Sequence, residues 1–295
     1  MTCARVGALR EYVAAAAPGL AEEAEAIASS LLPEFERYGE LIGSSDGRTV
    51  GLLTRGEEAS FTTRIQALMH EWCLPAEAIR AHAALARAFE HKRCFLKLEW
   101  RASPGGVERL LAVYYRRRPR VADAIRIACD SSLPSGHFLE LSRLLAKDTV
   151  HFVCLTARPR QPMYHKMYFS QYVTAESRDA VRIRIARALQ RFAPQPAAVA
   201  RWAAYHDRLV TPLSEQTLFV SLALTPQGLD PSIKIDYPNV PPNVAVGVLE
   251  QAQQAPVAEQ FRKLCVRAGR TDLSFLGLRL GRARVPMLKG YADFV

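Results

Sequence analysis

Residues 275–294 read FLGLRLGRARVPMLKGYADF, and their pattern decides the fold of the chain. Leu276, Leu278 and Leu280 alternate with small or charged residues, and a second alternating run follows the break at Arg282–Pro286. Such alternation is typical of a β-strand, because successive side chains of a strand point to opposite faces. Two such runs around a short segment that interrupts the alternation predict a β-hairpin.

The same pattern occurs at four other places, and the hairpins begin about 55–65 residues apart. Turn-forming segments, such as PQGLDP at 226–231, separate the two runs of each pair. The predicted pairs are Gly39–Ser44 with Thr49–Thr54, Phe95–Arg101 with Arg109–Tyr115, His151–Ala157 with Tyr164–Tyr172, Leu218–Thr225 with Ser232–Tyr237, and Phe275–Gly281 with Met287–Phe294.

Helical patterns fill the gaps between the hairpins. Val181, Ile185, Leu189 and Phe192 form one apolar stripe after a predicted N-cap at Thr174. Similar patterns predict helices over 9–30, 57–90, 121–147, 197–208 and 244–268. Neither a Gly/Ser-rich linker nor a shift in composition divides the chain, so we expect a single domain over residues 1–295.

The composition bounds the class of protein. The chain has 295 residues, with 39 Lys and Arg against 29 Asp and Glu, so its formal net charge is +10. No apolar run approaches the roughly 20 residues of a membrane span, and MTCARVGALREY at the start lacks the apolar core of a secretory signal. Six scattered cysteines without a CxxC pair indicate a reduced, cytoplasmic protein. The seven histidines show no metal-ligand spacing, and the common nucleotide-binding and hydrolase motifs are missing.

Alternation also assigns a charged and an apolar face to each strand. In Phe95–Arg101, Leu96, Leu98 and Trp100 share one face, and Lys97 lies on the other. The amphipathic helices need an apolar surface to cover, so the charged faces point away from them. On an open sheet this basic face would be exposed and would suit RNA. If the ten strands close into a barrel, the basic residues line a wide polar lumen.

Short motifs favour the closed barrel with a polar lumen. Lys-x-Tyr occurs as Lys166-Met167-Tyr168 and as Lys289-Gly290-Tyr291, with a looser variant in Lys234-Ile235-Asp236-Tyr237. The closing hairpin begins with Gly-Leu-x-Leu at 277–280, and LLPEFERYGELIGSSDGR at 31–48 leads into the first strand. In these features the chain resembles the ABBA (α-β-β-α) prenyltransferases, which include soluble bacterial aromatic enzymes and cyanobactin peptide prenyltransferases. The resemblance implies a ten-stranded antiparallel β-barrel with a polar lumen, surrounded by α-helices.

The resemblance also implies an activity. An allylic diphosphate, dimethylallyl or geranyl, ionises in this family, and the cation alkylates an electron-rich aromatic small molecule or a peptide side chain. The leaving diphosphate needs fixed cations, and tyrosine rings can face the carbocation. The residues assigned to the diphosphate are Lys97, Arg109, Lys166, Tyr168, Lys234, Arg279, Lys289 and Tyr291.

Glu40, on the first predicted strand, matches by position the glutamate that some family members use to orient or deprotonate the acceptor. The sequence has no Asp-Asp pair, which argues against the aspartate-bound magnesium of the all-helical isoprenoid synthases. No cofactor is required by the sequence, and Mg²⁺ stays open as an addition. The expected partners are the allylic diphosphate and the acceptor, with no nucleic acid and no membrane.

Two alternatives stay open at this point. A non-enzymatic protein could bind RNA or single-stranded nucleic acid through a basic sheet face, and a carrier or inactive relative could share the same lumen. Arg116–Arg120 reads RRRPR, which suits a nucleic-acid patch but is expected to form a solvated loop at the barrel rim. Small residues at the inward positions Ala223, Gly277 and Gly281 are expected to leave room for substrate.

Overall fold

The computed structural model of the protein describes residues 4–44, 46–90, 93–129, 133–193, 195–210, 215–241, 243–245, 247, 255–281 and 287–294. These residues form ten strands that pair in the order of the sequence, and the first strand also pairs with the last. All ten pairs are antiparallel. The predicted closed barrel, with helices between its hairpins, is therefore confirmed.

The strands lie where the alternation predicts them, although most are longer than predicted. They are β1 Gly39–Ser44, β2 Thr49–Gly56, β3 Cys94–Ser103, β4 Gly106–Tyr115, β5 Phe152–Ala157, β6 Tyr164–Val173, β7 Gln216–Thr225, β8 Gly228–Val240, β9 Leu273–Leu280 and β10 Met287–Asp293.

The turn between β7 and β8 is tighter than predicted. Thr225 pairs with Gly228, and Leu224 pairs with Leu229, so the ladder reaches Gly228 and residues 228–231 belong to β8. Gly228 takes a φ of +127°, which residues with a side chain rarely adopt. The prediction of a loop over 226–231 was wrong because turn-forming residue types still pair at the ends of strands.

Helices connect the hairpins and cover the outside of the barrel. They are α1 Ala4–Ala16, α2 Ala21–Ser30, α3 Leu32–Arg37, α4 Ala59–Glu71, α5 Ala76–Ala88, α6 Val121–Ala128, α7 Gly136–Leu144, α8 Arg178–Phe192, α9 Pro196–Val210 and α10 Ala255–Ala268. The predicted segments 9–30 and 57–90 each hold more than one helix. Their breaks fall beside Pro18 and Pro75, since proline cannot donate the backbone hydrogen bond of a helix interior. The helix predicted from Thr174 begins one turn later, at Arg178, and its apolar stripe is buried as expected.

The apolar faces of the strands meet the helices. Leu96, Leu98 and Trp100 of β3 have no exposed surface. The ring of Trp100 meets the ring of Trp72, which follows α4, edge to face with centroids 6.0 Å apart. Burying each such side chain contributes roughly 1.5–3 kcal/mol, so the helical layer stabilises the closed sheet while leaving the other strand face to the lumen.

Two glycines let helices approach the seam where the barrel closes. Gly43 of β1 and Gly290 of β10 are register partners. A Cβ on Gly43 would collide with the hydroxyl of Tyr12 in α1, and one on Gly290 would lie 2.9 Å from the ring of Phe261 in α10. The missing side chains therefore allow two aromatic rings to lie directly against the closing pair of strands.

Candidate active site

Five of the cations predicted to bind diphosphate lie together in the lumen, and we call them the inner cluster. They are Lys97 of β3, Lys166 of β6, Lys234 of β8, Arg279 of β9 and Lys289 of β10. Lys234 and Arg279 are register partners on neighbouring strands. The charges of Lys97, Lys234 and Arg279 all act on Lys166, which places the cluster in one electrostatic environment. Strand alternation predicted this grouping; a role in binding diphosphate stays a prediction.

Glu99 joins two of these lysines across the lumen. Its carboxylate lies 3.0 Å from Lys97 Nζ on the same strand and 2.6 Å from Lys289 Nζ on β10. Glu99 is 2% exposed. Burial alone would raise the pKa of this carboxyl, but the charges of Lys289 and Lys97 hold the pKa well below its usual range. Glu99 is therefore ionised and fixes both lysines in place.

A second ion pair lies beside it. Lys234 Nζ lies 2.5 Å from Asp236 Oδ1 and donates a hydrogen bond of 3.3 Å to the hydroxyl of Tyr291. A Cβ on Gly277 would lie 2.7 Å from both Asp236 Oδ1 and Lys234 Cε. The small residue at 277 thus makes room for this ion pair, and the expectation that it leaves room for substrate is wrong.

Arg279 is held by the start of the neighbouring strand. Its guanidinium forms an ion pair with Asp230 and donates a hydrogen bond of 2.9 Å to Ser232 Oγ. A Cβ on Gly281 would lie 2.8 Å from Ser232 Cβ, so this glycine too accommodates protein atoms.

Lys166 differs from the other members of the inner cluster. Its ammonium forms no ion pair with any carboxylate among the described residues. Burial, with the charges of Lys97, Arg279 and Lys234, lowers the pKa of Lys166 to about 7. An anion that enters the lumen therefore stabilises the charged form of Lys166 strongly, because it offsets the repulsion between Lys166 and the neighbouring cations.

An aromatic cavity of about 550 Å³ continues from the inner cluster along the lumen. Tyr168 and Tyr291, both predicted to lie beside the diphosphate, line it and are almost fully buried. The ring centroid of Tyr168 lies 5.6 Å from that of Tyr114. Further rings that line the cavity are those of Tyr38, Phe95, Phe152, Phe219 and Phe275, and His151 packs against Phe152 and Phe219.

These rings were not singled out from the sequence. Phe95 lies two positions before Lys97, and Phe275 lies two positions before Gly277. Because residues two positions apart share one face of a strand, alternation could have located both rings. The rings provide π-faces and exclude water in the section of the lumen next to the cations.

Glu40 lies in the same cavity, as its predicted role requires. It is 1% exposed, and its Oε1 accepts a hydrogen bond of 2.6 Å from the hydroxyl of Tyr38. Its Oε2 is buried and has no hydrogen-bond partner among the described residues. Burial raises the pKa of Glu40 to about 7, and the charges of Asp293 and Asp236 add to this effect. Glu40 can therefore exchange a proton near neutral pH.

Arg109 does not belong to the lumen, and its assignment to the diphosphate site was wrong. It pairs in register with Trp100, on the face of the sheet that the helices cover. Its guanidinium donates two hydrogen bonds, of 2.7 and 2.5 Å, to the carboxylate of Glu23 in α2. Arg109 thus fastens a helix to the barrel.

A second group of cations lies at the exposed end of the cavity. It consists of Arg55 at the end of β2, Arg116 and Arg118 in the loop after β4, and Lys147 after α7, and we call it the mouth cluster. The expectation that Arg116–Arg120 forms a loop at the barrel rim is confirmed. The sequence did not indicate that two of these arginines line the cavity.

Neither a metal site nor a membrane helix is found in the described part of the chain. It contains no group of three or more His, Cys, Asp or Glu side chains that could hold a metal ion. None of its helices combines the length and the apolar character needed to cross a membrane.

Solved structures share this architecture. 5-Dimethylallyltryptophan synthase from Streptomyces coelicolor is 15% identical, with a TM-score of 0.65 over 98% of this chain and 96% of that one. The prenyltransferase PriB, in a ternary complex with L-tryptophan and dimethylallyl thiolodiphosphate, is 14% identical, with a TM-score of 0.55 over 86% and 79%. AnaPT from Neosartorya fischeri is 11% identical, with a TM-score of 0.54 over 86% and 77%.

No protein-family model and no curated protein sequence matches the chain. At these identities the structural similarity concerns the fold alone. The fold that the sequence resemblance implies is therefore confirmed. The chain has the αββα barrel of the ABBA prenyltransferases.

Proposed function

We propose that this protein is a prenyltransferase. It transfers an allylic group, dimethylallyl or geranyl, from its diphosphate to an electron-rich aromatic small molecule or a peptide side chain. The observation that carries the proposal is the order of groups along the lumen: a cluster of cations, then aromatic rings, with a buried carboxyl beside the rings. We further propose one domain over residues 1–295 and a cytoplasmic location.

The inner cluster would hold the diphosphate. Glu99 and Asp236 fix Lys97, Lys289 and Lys234, and each ammonium keeps donors that its carboxylate does not use. Lys166 adds a charge that has no carboxylate partner among the residues described. Fixed donors in a water-poor lumen stabilise the negative charge that develops as the diphosphate leaves.

The chemistry would proceed by ionisation and electrophilic alkylation. The bond between the allylic carbon and the diphosphate oxygen breaks, and its electron pair goes to the diphosphate. The rings of Tyr168 and Tyr291 face the allylic cation and shield it from water. A carbon or heteroatom of the acceptor then forms the new bond and loses its proton. Glu40, with a pKa of about 7, accepts that proton or orients the acceptor.

Two structures with this fold support the choice of partners. 5-Dimethylallyl tryptophan synthase from Streptomyces coelicolor is known in complex with DMASPP and Trp, and PriB with L-tryptophan and dimethylallyl thiolodiphosphate. Both complexes combine an allylic diphosphate analogue with an aromatic acceptor. The described residues of our chain place cations and aromatic rings in one lumen, which suits the same two classes of ligand.

The test is incubation with dimethylallyl or geranyl diphosphate and a panel of indoles, phenols and short aromatic peptides. Mass spectrometry should detect an acceptor that gains one or two isoprene units. Reactions with Mg²⁺ and with a chelator address the cofactor separately. Absence of both product and diphosphate binding would refute the proposal, whereas diphosphate binding without product would favour a carrier or an inactive relative.

The closure of the barrel favours prenyl transfer over the RNA-binding alternative. That alternative required a basic sheet face that is exposed to solvent, whereas the closed barrel turns that face into the lumen.

A further inference from the structure

The mouth cluster is placed to act on whatever enters the cavity. Its side chains line the end of the cavity opposite the inner cluster. Along β3, Phe95 lies nearest the mouth, and Lys97 and Glu99 follow it deeper into the lumen. Phe95 pairs with Tyr114, which lies at the end of β4. Arg116 and Arg118 directly follow that strand end. An acceptor that reaches the aromatic rings must pass or remain beside these cations.

The mouth cluster is almost free of counterions. Within the described part of the chain, the side chains of Arg116, Arg118 and Lys147 form no ion pair and no hydrogen bond. Arg55 has only a long contact of 3.8 Å with Glu57, which is closer to Arg93. The carboxylates that line the cavity are Glu40 and Asp236, and both lie deeper.

The loop that carries the arginines is held in a strained form. Arg118 has a φ of +56°, in the left-handed region that a residue with a Cβ adopts only under constraint. The constraint comes from segment 148–150: Val121 N–H donates to Asp148 O, and Val150 N–H donates to Pro119 O, both at 2.9 Å. The loop therefore has a defined shape rather than being a loose basic tail.

Within this loop the arginines point in different directions. Arg116 and Arg118 line the cavity, whereas Arg117 donates hydrogen bonds to Glu90, at 3.1 Å, and to Ala88 O, at 3.3 Å. Two unpaired guanidinium groups are thus presented to one cavity, and the arginine between them is used for structure.

We propose that the acceptor is an aromatic acid: an aromatic ring that carries an anionic group and no ammonium group. Its acid group would bind Arg116 and Arg118 at the mouth, and its ring would lie among the aromatic side chains, between the mouth and the diphosphate. This inference rests on the proposed function. It separates the chain from the relatives solved with tryptophan, a zwitterion.

An ammonium group at the mouth would be repelled. It would meet four cations, and two carboxylates outside the cavity already have partners: Glu57 with Arg93, and Glu215 with the hydroxyl of Tyr172. An acid group instead gains guanidinium donors, whose planar fork matches a carboxylate. The positive charge of the mouth cluster therefore favours an acid group over an ammonium group.

A series of ligands with the same ring tests the inference. Indole-3-propionate, tryptophan, tryptamine and 3-methylindole are titrated by calorimetry into the protein saturated with dimethylallyl thiolodiphosphate, and also into the free protein. A phenol series, 3-(4-hydroxyphenyl)propionate, tyrosine, tyramine and 4-methylphenol, covers the other ring type. We expect the acid to bind at least tenfold more tightly than the amine and the neutral ring in at least one series. Equal or tighter binding of tryptamine or tryptophan, or binding of neither acid, overturns the inference.

Variants locate the effect. In the double variant Arg116→Gln/Arg118→Gln the Kd of the acid should rise at least tenfold, while the Kd of the thiolodiphosphate and the thermal unfolding stay unchanged. Arg117→Gln is the matched control, since it removes a charge from the same loop but outside the cavity.

The outcomes separate this inference from the proposed function. If the double variant weakens the thiolodiphosphate and not the acid, the mouth serves diphosphate entry, and the inference fails while the function stands. If the wild type binds no thiolodiphosphate, the proposed function fails, and the titrations into the free protein still decide whether the mouth selects acids.

Discussion

The inner cluster and the mouth cluster are both groups of lysine and arginine in one lumen, yet they are built differently. Lys97, Lys234 and Lys289 each contact a carboxylate that lies on a strand of the barrel. Arg116 and Arg118 have no such partner among the described residues. Lys97 is buried and the other inner cations are half-buried, whereas Arg118 at the mouth is exposed.

The difference follows from the solvent around each group. A buried charge without a counterion is strongly destabilising, so the inner cations need carboxylates before any ligand arrives. Cations at the mouth are hydrated and can stay unpaired. The lysines of the inner cluster are therefore held in position before a ligand binds. The mouth cluster keeps its full charge, which attracts an anionic ligand. Lys166 is the exception, because it lies in the lumen and contacts no carboxylate in the part of the chain that the structure describes.

Glu99→Gln should break the inner cluster most severely. The substitution leaves Lys97 and Lys289 without their shared counterion, and loss of one partner of a buried ion pair costs about 3–5 kcal/mol. We expect a decrease of about 3 kcal/mol in the free energy of unfolding, measured by denaturation with urea at pH 7.

The pH dependence of this effect has a definite sign. A carboxyl whose pKa is lowered by folding stabilises the protein above the unfolded pKa, about 4.3, and that contribution is lost as the pH falls. The difference between wild type and Glu99→Gln should therefore shrink below about pH 4. Glu57→Gln is the matched control near the mouth and should change stability by at most about 0.5 kcal/mol. Equal effects of the two substitutions would contradict the contrast between the clusters.

Glu40→Gln tests the group that lies between the clusters. If Glu40 orients the acceptor or accepts its proton, kcat should fall about 100-fold. The Kd of the allylic diphosphate should not change, because Glu40 is not part of the inner cluster. Steady-state kinetics and calorimetry measure the two quantities. A parallel loss of diphosphate binding would mean that the cavity collapses when Glu40 is replaced.

Lys166→Met should separate binding from stability. The loss of a charge-assisted interaction with the diphosphate should raise its Kd about 10–100-fold. The variant should also unfold with a free energy about 1 kcal/mol higher, since an unpaired charge in the lumen is replaced by an apolar side chain. Arg109→Gln, on the helix side of β4, should leave the Kd of the diphosphate unchanged. Wild-type affinity in Lys166→Met would remove this lysine from the site.

The pH dependence of diphosphate binding tests the charge of Lys166 in the wild-type protein. The pKa of Lys166 is about 7 in the free protein, and a bound diphosphate favours the charged ammonium, so binding takes up a proton. Affinity should then fall as the pH rises above 7, by up to about tenfold per pH unit. Burial also lowers the pKa of Lys289 to about 8, so part of the slope remains in Lys166→Met. Titrations of both proteins from pH 7 to 9 should show a shallower slope in the variant. An identical slope in both would assign the proton to another group.

The sequence predicted the faces of most strands correctly for a local reason. Lys97, Lys166 and Lys289 alternate with apolar neighbours, and alternation within one strand does not depend on the rest of the fold. Arg109 was misplaced because Leu110 and Leu111 after it are both apolar, so alternation is lost. Only pairing with β3 decides on which side each residue of β4 lies.

By itself, the sequence determined the number of hairpins, the helices between them and the inward face of the inner cluster. Periodicity of apolar residues is a property of neighbouring positions, so it can be read along the chain. Only the tertiary structure decided that Glu99 joins Lys97 to Lys289, that Arg109 binds a helix, and that Arg116 and Arg118 line the cavity of Glu40. These contacts join residues far apart in the chain, and they exist because the first strand pairs with the last and closes the barrel.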